Sequence, residues 1–287
     1  MGMTLTSPPL PDAEQLQLTH QGDLATIVLN RPAVRNCLSM QLSDELVSAL
    51  RWVQHSEEVK LVVIGGAGGT FCAGDDITEM TRWGNANQVM RRVQIYQEMA
   101  NLIEELDKVT IARVDGYAVG GGLEITMACD FVVASRDARW GMPEVDVGIT
   151  PGWGGTTRMT RLIGRRRTKE INLLGALHTA QRAVDLDLWN VVVDPEDLDA
   201  EVQRLLTVLR SKNHQAVRQL KFIIDKGANA DLHTAQGFEK LSAGLTGAVN
   251  GWWQVPDADQ QTGINGFATK DELWQHRRGL AIDFWTQ

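Results

Sequence analysis

The chain lacks any hydrophobic run approaching the roughly 20 residues that a membrane-spanning helix needs. No basic stretch leading into a short apolar segment marks an export signal. Cysteine is scarce, with only Cys37, Cys72 and Cys129 in 287 residues. An odd number without paired metal-type spacing argues against a disulfide framework or a zinc site and points to a reducing cytoplasm. The six histidines show no metal-ligand pairing either. Positive charge is in deficit: 28 Lys and Arg stand against 36 Asp and Glu, a formal net charge of −8. That balance opposes non-specific nucleic-acid binding, which needs a basic surface. The glycines contain neither G-x-G-x-x-G nor a Walker pattern, so their spacing does not support a nucleotide-phosphate cradle.

What remains is the composition of a soluble globular protein, 43% hydrophobic and 22% charged, with enough length for one large core. Residues 1–13, with Pro8, Pro9 and Pro11, read as a flexible lead-in. The body runs over 14–200 and a helical region over 201–287. Tryptophan is abundant, and five of the nine (Trp189, Trp252, Trp253, Trp274 and Trp285) fall in the last hundred residues, as packing or subunit contacts.

Local patterns give alternating strands and helices. Leu24–Asn30 is strand-like and ends at Arg31-Pro32. Ser39 is a helix N-cap, and Met40, Leu42, Leu46, Val47, Leu50 and Val53 recur at helical spacing to about His55. Leu61–Ile64 is a buried strand closed by glycines. The stretch FCAGDDI then turns into a short helix, and Gln88–Leu106 is a longer amphipathic one. Strands at Thr110–Val114 and Phe131–Ala134 flank another helix. After Thr156 helices dominate, over Arg165–Leu174, Ala180–Leu186, Leu198–Ser211, Asn213–Gly227 and Leu232–Val249. Glycines concentrate where strands end, which in α/β proteins is where ligands sit.

The stretch from Val114 to Gly155 carries the chemistry. Gly120, Gly121 and Gly122 run into a helix whose first turn holds Glu124. Such a helix start exposes unpaired N–H groups at the positive end of the dipole, where an oxyanion is stabilised. Close helix–strand packing at a tight turn explains the glycines equally well. Glu144 follows Pro143 in a segment bracketed by Trp140 and Trp153. Taken singly, Glu124 also suits a helix dipole and Glu144 a solvated loop. Gly154 and Gly155 read as a turn. Arg165, Arg166, Arg167 and Lys169 read as a solvated helix face rather than a phosphate site. The cysteines read as buried, not nucleophilic.

The motifs GYAVGGGLEITMACD and WGMPEVDVGITPGWGGTTRMTRLIGR, preceded in order by NRPAVRNCLS and GTFCAGDDITEM, resemble the enoyl-CoA hydratase/isomerase family, the crotonases. The resemblance covers roughly Leu16 to Ala230. It implies an α/β fold of the crotonase type, a spiral of repeated ββα units with a C-terminal helical trimerisation region, and a homotrimer or a homohexamer built as a dimer of trimers. It also implies acyl-CoA as substrate, with coenzyme A part of the substrate and no cofactor or metal bound permanently, and no nucleic-acid or membrane partner. By the same resemblance the backbone N–H groups of Asp75 and Gly121 form an oxyanion hole, and Glu124 and Glu144 are the catalytic pair. Ala73, Ile77 and Gly120 contact the substrate or its CoA, and Trp153 walls the acyl pocket or packs in the core. Asp75 departs from the family pattern, which has a small or apolar residue there. The paired glutamates favour water addition to a trans-2-enoyl-CoA, giving a 3-hydroxyacyl-CoA. A double-bond isomerase or a ring-cleaving β-keto acyl-CoA hydrolase is the alternative on the same scaffold.

Overall fold

The computed structural model describes residues 9–250. The lead-in before Pro9 and the chain from Gly251 on, including four of the late tryptophans and FATKDELWQHRR, lie outside the described residues. Two compact units divide between Val202 and Gln203.

In the first unit β1 (Leu16–Gln21) pairs antiparallel with β2 (Leu24–Leu29). Helix α1 (Met40–His55) starts at Ser39, whose hydroxyl accepts the Leu42 N–H at 3.0 Å. It buries Leu42, Leu46, Leu50 and Val53, the stripe expected from their spacing. Then follow β3 (Leu61–Gly66), the four-residue α2 (Ile77–Met80) and α3 (Ala86–Glu105), which is capped by Asn85. Strand β3 is a continuous apolar run buried on both faces, as a central parallel strand must be. Next come β4 (Val109–Val114), β5 (Tyr117–Val119), α4 (Gly121–Ala128), β6 (Phe131–Ser135) and β7 (Arg139–Gly141). A 3-10 turn at Pro143–Val147 leads towards α5 (Thr157–Leu174). After it come β8 (His178–Thr179), α6 (Ala180–Asp185), β9 (Val191–Val193) and α7 (Leu198–Arg210), which crosses the division.

The main sheet has the order β1-β2-β3-β4-β6-β9, parallel from β2 onward, and β5-β7-β8 form a second sheet. Consecutive crossovers thus add one strand to the main sheet and, from Cys72 on, a short one elsewhere: Cys72 bridges to Ala118. In the second unit α8 (His214–Gly227) and α9 (Leu232–Asn250) pack together, with the Phe222 and Phe238 rings 5.5 Å apart.

One sequence expectation is extended and one corrected. The helix expected over Arg165–Leu174 is the second part of α5; the first part, from Thr157, was not expected, and Gly164, at φ 77°, joins the two across a kink. Cys37 and Cys129 are only partly buried, whereas Cys72 is fully so. None of the three forms a disulfide. Five strands were not expected: β1, β5, β7, β8 and β9. Four of these have three residues or fewer, too few to show a period.

Candidate active site

Three chain segments that are distant in sequence are locked together by backbone hydrogen bonds. The NRPAVRN turn is fixed by Asn36, whose amide donates to the carbonyls of Ala67 and Thr70, at 2.9 and 2.6 Å, while its Oδ1 accepts the Arg31 N–H at 2.8 Å. That turn grips the FCAGDD segment: Ala73 N donates to Arg35 O, Leu38 N to Gly74 O and Asp76 N to Leu38 O, at 2.8–3.0 Å. FCAGDD in turn holds the strand before the glycine run, with Cys72 N on Tyr117 O and Val119 N on Cys72 O, at 2.8 and 3.0 Å. Between these bonds, the N–H groups of Asp75 and Gly121 have no acceptor among the described residues.

The glycines are required sterically. A Cβ at Gly122 would overlap the Cys72 carbonyl, and one at Gly121 would overlap the Trp153 ring and stand 3.1 Å from Asp75 Oδ1. Gly120 has φ 53°, and a Cβ there would stand 2.9 Å from Glu144 Oε1. The packing reading of the triplet therefore holds: it brings α4 against FCAGDD, and it leaves room for two carboxyl groups against the helix start.

Helix α4 is buried along its whole length, and Glu124 with it, at 1% exposure. Its Oε1 accepts the N–H groups of Trp153 at 3.1 Å and Gly155 at 2.6 Å. The loop supplying those groups is itself tied down: Arg158 donates to Trp153 O and to Glu104 on α3, and Gln97 donates to Gly152 O. Burial pushes the Glu124 carboxyl up to about 8, against the pull of the two amides, with Asp75 and then Glu144 adding to the rise. Glu144 sits at the start of the Pro143–Val147 turn; its Oε2 is buried without a partner, and burial raises its proton affinity too. Asp75 Oδ1 is likewise buried and unpartnered, and burial followed by the Glu144 charge pushes Asp75 up to about 7. The Trp153 indole N–H faces Asp75 and moderates that rise, short of forming a hydrogen bond. None of the described ion pairs reaches these three carboxyl groups; Arg31 pairs instead with the neighbouring Asp76, at 3.1 Å.

The expected site residues are thus partly assembled. Glu124, Glu144, Asp75, Gly120, Gly121 and Trp153 converge at the start of α4. Trp153 is 2% exposed and lies with its ring centroid 5.4 Å from that of Tyr96, so it packs in the core and borders the site at once. Ala73 already spends its N–H on Arg35, and Ile77 is exposed at the head of α2. The basic cluster Arg165–Arg167 and Lys169 is exposed, with Arg167 bonded to Glu170. Sequence reading missed Gly155, taken for a turn, and Arg158, a lone arginine on a helix. A glycine whose Cβ would overlap Met142 is visible only in space.

Unpaired amides thus stand beside carboxyl groups whose proton affinity burial raises, on an α/β scaffold. A sequence model of the family Enoyl-CoA hydratase/isomerase matches residues 19–271. A crotonyl-CoA hydratase from Syntrophomonas wolfei is 35% identical, over 90% of this chain and 96% of its own. A short-chain-enoyl-CoA hydratase from Clostridium acetobutylicum is also 35% identical, over 79% and 87%. The crystal structure of an enoyl-CoA hydratase from Bacillus anthracis superposes with a TM-score of 0.78 at 31% identity, over 93% of this chain and 96% of that one. The chain belongs to the enoyl-CoA hydratase/isomerase family and has its crotonase-type α/β fold with a C-terminal helical region.

Proposed function

We propose that the protein is an enoyl-CoA hydratase, a hydro-lyase that adds water to a trans-2-enoyl-CoA to give a 3-hydroxyacyl-CoA. The observation that carries this reading is the convergence of two carboxyl groups, buried Glu124 and half-buried Glu144, on the helix start that holds an otherwise unused pair of backbone N–H groups. Hydration places negative charge on the thioester oxygen as the enolate forms. The amides of Asp75 and Gly121 are the proposed oxyanion hole, and one such donor is worth roughly 3–4 kcal/mol in a protease. The reaction also needs a base for water and an acid for the α-carbon, and two carboxyl groups supply both when their environments keep a proton on one. Glu124 is the base: its Oε1 is held by two amides, which leaves Oε2 for water. Glu144 is the acid: its Oε2 is bonded to nothing in the protein, which leaves it able to carry a proton to the α-carbon.

Coenzyme A enters and leaves as part of the substrate. The names of the relatives support a short acyl chain. We also propose assembly as a homotrimer or a dimer of trimers, and a cytoplasmic location; no helix among the described residues is long and apolar enough to cross a membrane. Mixing the protein with crotonyl-CoA is expected to remove the ultraviolet absorbance of the conjugated thioester, with a product heavier by one water. A product of unchanged mass would make the enzyme an isomerase instead. Glu144→Gln turning over as fast as the parent would remove that residue from the mechanism.

A further inference from the structure

Asp75 is the residue for which a generic hydratase has no use. Only its N–H is needed at the thioester oxygen, and a carboxyl side chain one bond away from that oxygen's grip has to be accounted for. Three buried polar atoms here lack a hydrogen-bond partner: Asp75 Oδ1, Glu144 Oε2 and Trp153 Nε1. They are neighbours. Asp75 Oδ1 and the Trp153 ring both border the place a Cβ would take at Gly121, and Glu144 Oε1 borders the corresponding place at Gly120. Among charged groups, Glu144 exerts the leading influence on Asp75, and the Trp153 N–H faces it. Buried polar groups left unpaired are costly, so a set of two acceptors and one donor is a site built for something that both donates and accepts.

A plain alkenyl chain offers neither. An ammonium group would match the acceptors but not the indole N–H, and burial already holds Asp75 near neutrality. A hydroxyl matches the set: it gives its proton to one carboxyl oxygen, takes the indole N–H on one lone pair, and takes the proton of the second carboxyl, in its protonated form, on the other.

We propose that Asp75, with Trp153 Nε1 and Glu144 Oε2, forms a polar subsite beside the thioester that selects acyl-CoA substrates carrying a hydroxyl group on the acyl chain, close to the reacting carbons. This rests on the acyl-CoA reading given above. It assigns Asp75 a role in specificity, in addition to its backbone role. Sites that hydrogen-bond a substrate hydroxyl reject the analogue lacking it far more strongly than apolar pockets reject an extra group.

The test separates binding from turnover by using saturated thioesters that cannot be hydrated. Dissociation constants of the full chain are measured by calorimetry for two matched pairs: butyryl-CoA with 4-hydroxybutyryl-CoA, and valeryl-CoA with 5-hydroxyvaleryl-CoA. The parent is expected to bind the hydroxylated member of at least one pair about tenfold or more tightly. Asp75→Asn, which both donates and accepts, keeps that preference. Asp75→Ala abolishes or inverts it, with the plain thioester bound at least as tightly as by the parent. Equal affinities in the parent, no measurable binding of any of the four, or an undiminished preference in Asp75→Ala would each overturn the proposal. Failure of the hydratase reading looks different: crotonyl-CoA and its 4-hydroxy analogue would both go unhydrated, while the ratio of dissociation constants still decides the subsite.

Discussion

Glu124 and Glu144 face one site from opposite kinds of support. Glu124 stands on a helix buried along its whole length, with one oxygen pinned by two amides from a loop that Arg158 and Gln97 anchor to α3. Glu144 stands on a single 3-10 turn whose next residues, Val145 to Thr150, are exposed, and its buried oxygen is bonded to nothing. The first arrangement fixes a group in space and the second leaves it able to move a proton. The same contrast appears within FCAGDD. Asp76 caps α2 through Thr78 and pairs with Arg31, so its carboxyl lies below the usual range; Asp75, one residue earlier, is buried, unpaired and shifted upward. Adjacent identical side chains acquire opposite shifts because Asp76 accepts from Thr78 and pairs with a cation, while Asp75 turns a buried oxygen towards another acid with no cation in reach.

The largest effects break the pair itself. Glu124→Gln and Glu144→Gln should each cut kcat by about 10²–10⁴ with the fold retained, measured by turnover of crotonyl-CoA and circular dichroism. Truncation then separates the two supports. Glu124→Ala orphans the buried N–H groups of Trp153 and Gly155, at about 1–3 kcal/mol each, and should lower the denaturant midpoint clearly. Glu144→Ala removes a group that already lacks a partner and should leave the midpoint nearly unchanged.

Next comes Gly122→Ala, whose methyl meets a backbone carbonyl that cannot swing away. Overpacking of this kind costs about 1–3 kcal/mol, and activity should fall with stability.

A pH series sharpens the contrast further. Between about pH 4.5 and 8 the folded chain holds a proton on Glu124 that the unfolded chain releases, so folding stability should decline as pH rises through that window. In Glu124→Gln the decline should flatten. As base, Glu124 must be ionised in the free enzyme, so kcat/KM should climb with pH towards about 8, the apparent value belonging to the coupled carboxyl groups together. The smallest effect is expected from Asp76→Ala, which loses a helix cap worth about 1 kcal/mol and the Arg31 pair; thermal melts should register it while the hydroxyl preference stays.

Much of the fold was legible because its signals are local. Ser39 and Asn213 cap the helices that their spacing announced, and the apolar runs at β2, β3, β4 and β6 appear as strands. The three-residue strands were hidden because a period cannot be read from three residues, and the first part of α5 because it is short and ends at Gly164, where a glycine reads as a helix boundary. Within the site, Glu124, Glu144 and the glycine run stood out through motif order, while Gly155 and Arg158 did not.

The sequence by itself determined the strand–turn–helix order, the glycines that let backbones touch and the carboxyl groups available for chemistry. Only the tertiary structure decided that Asp75, Glu144 and Trp153 turn buried polar atoms towards one corner, that Glu124 is held by amides some 30 residues away, and hence which acids have raised proton affinity. Proton affinity depends on burial and on neighbours brought together by folding, and neither is written in the spacing of residues along the chain.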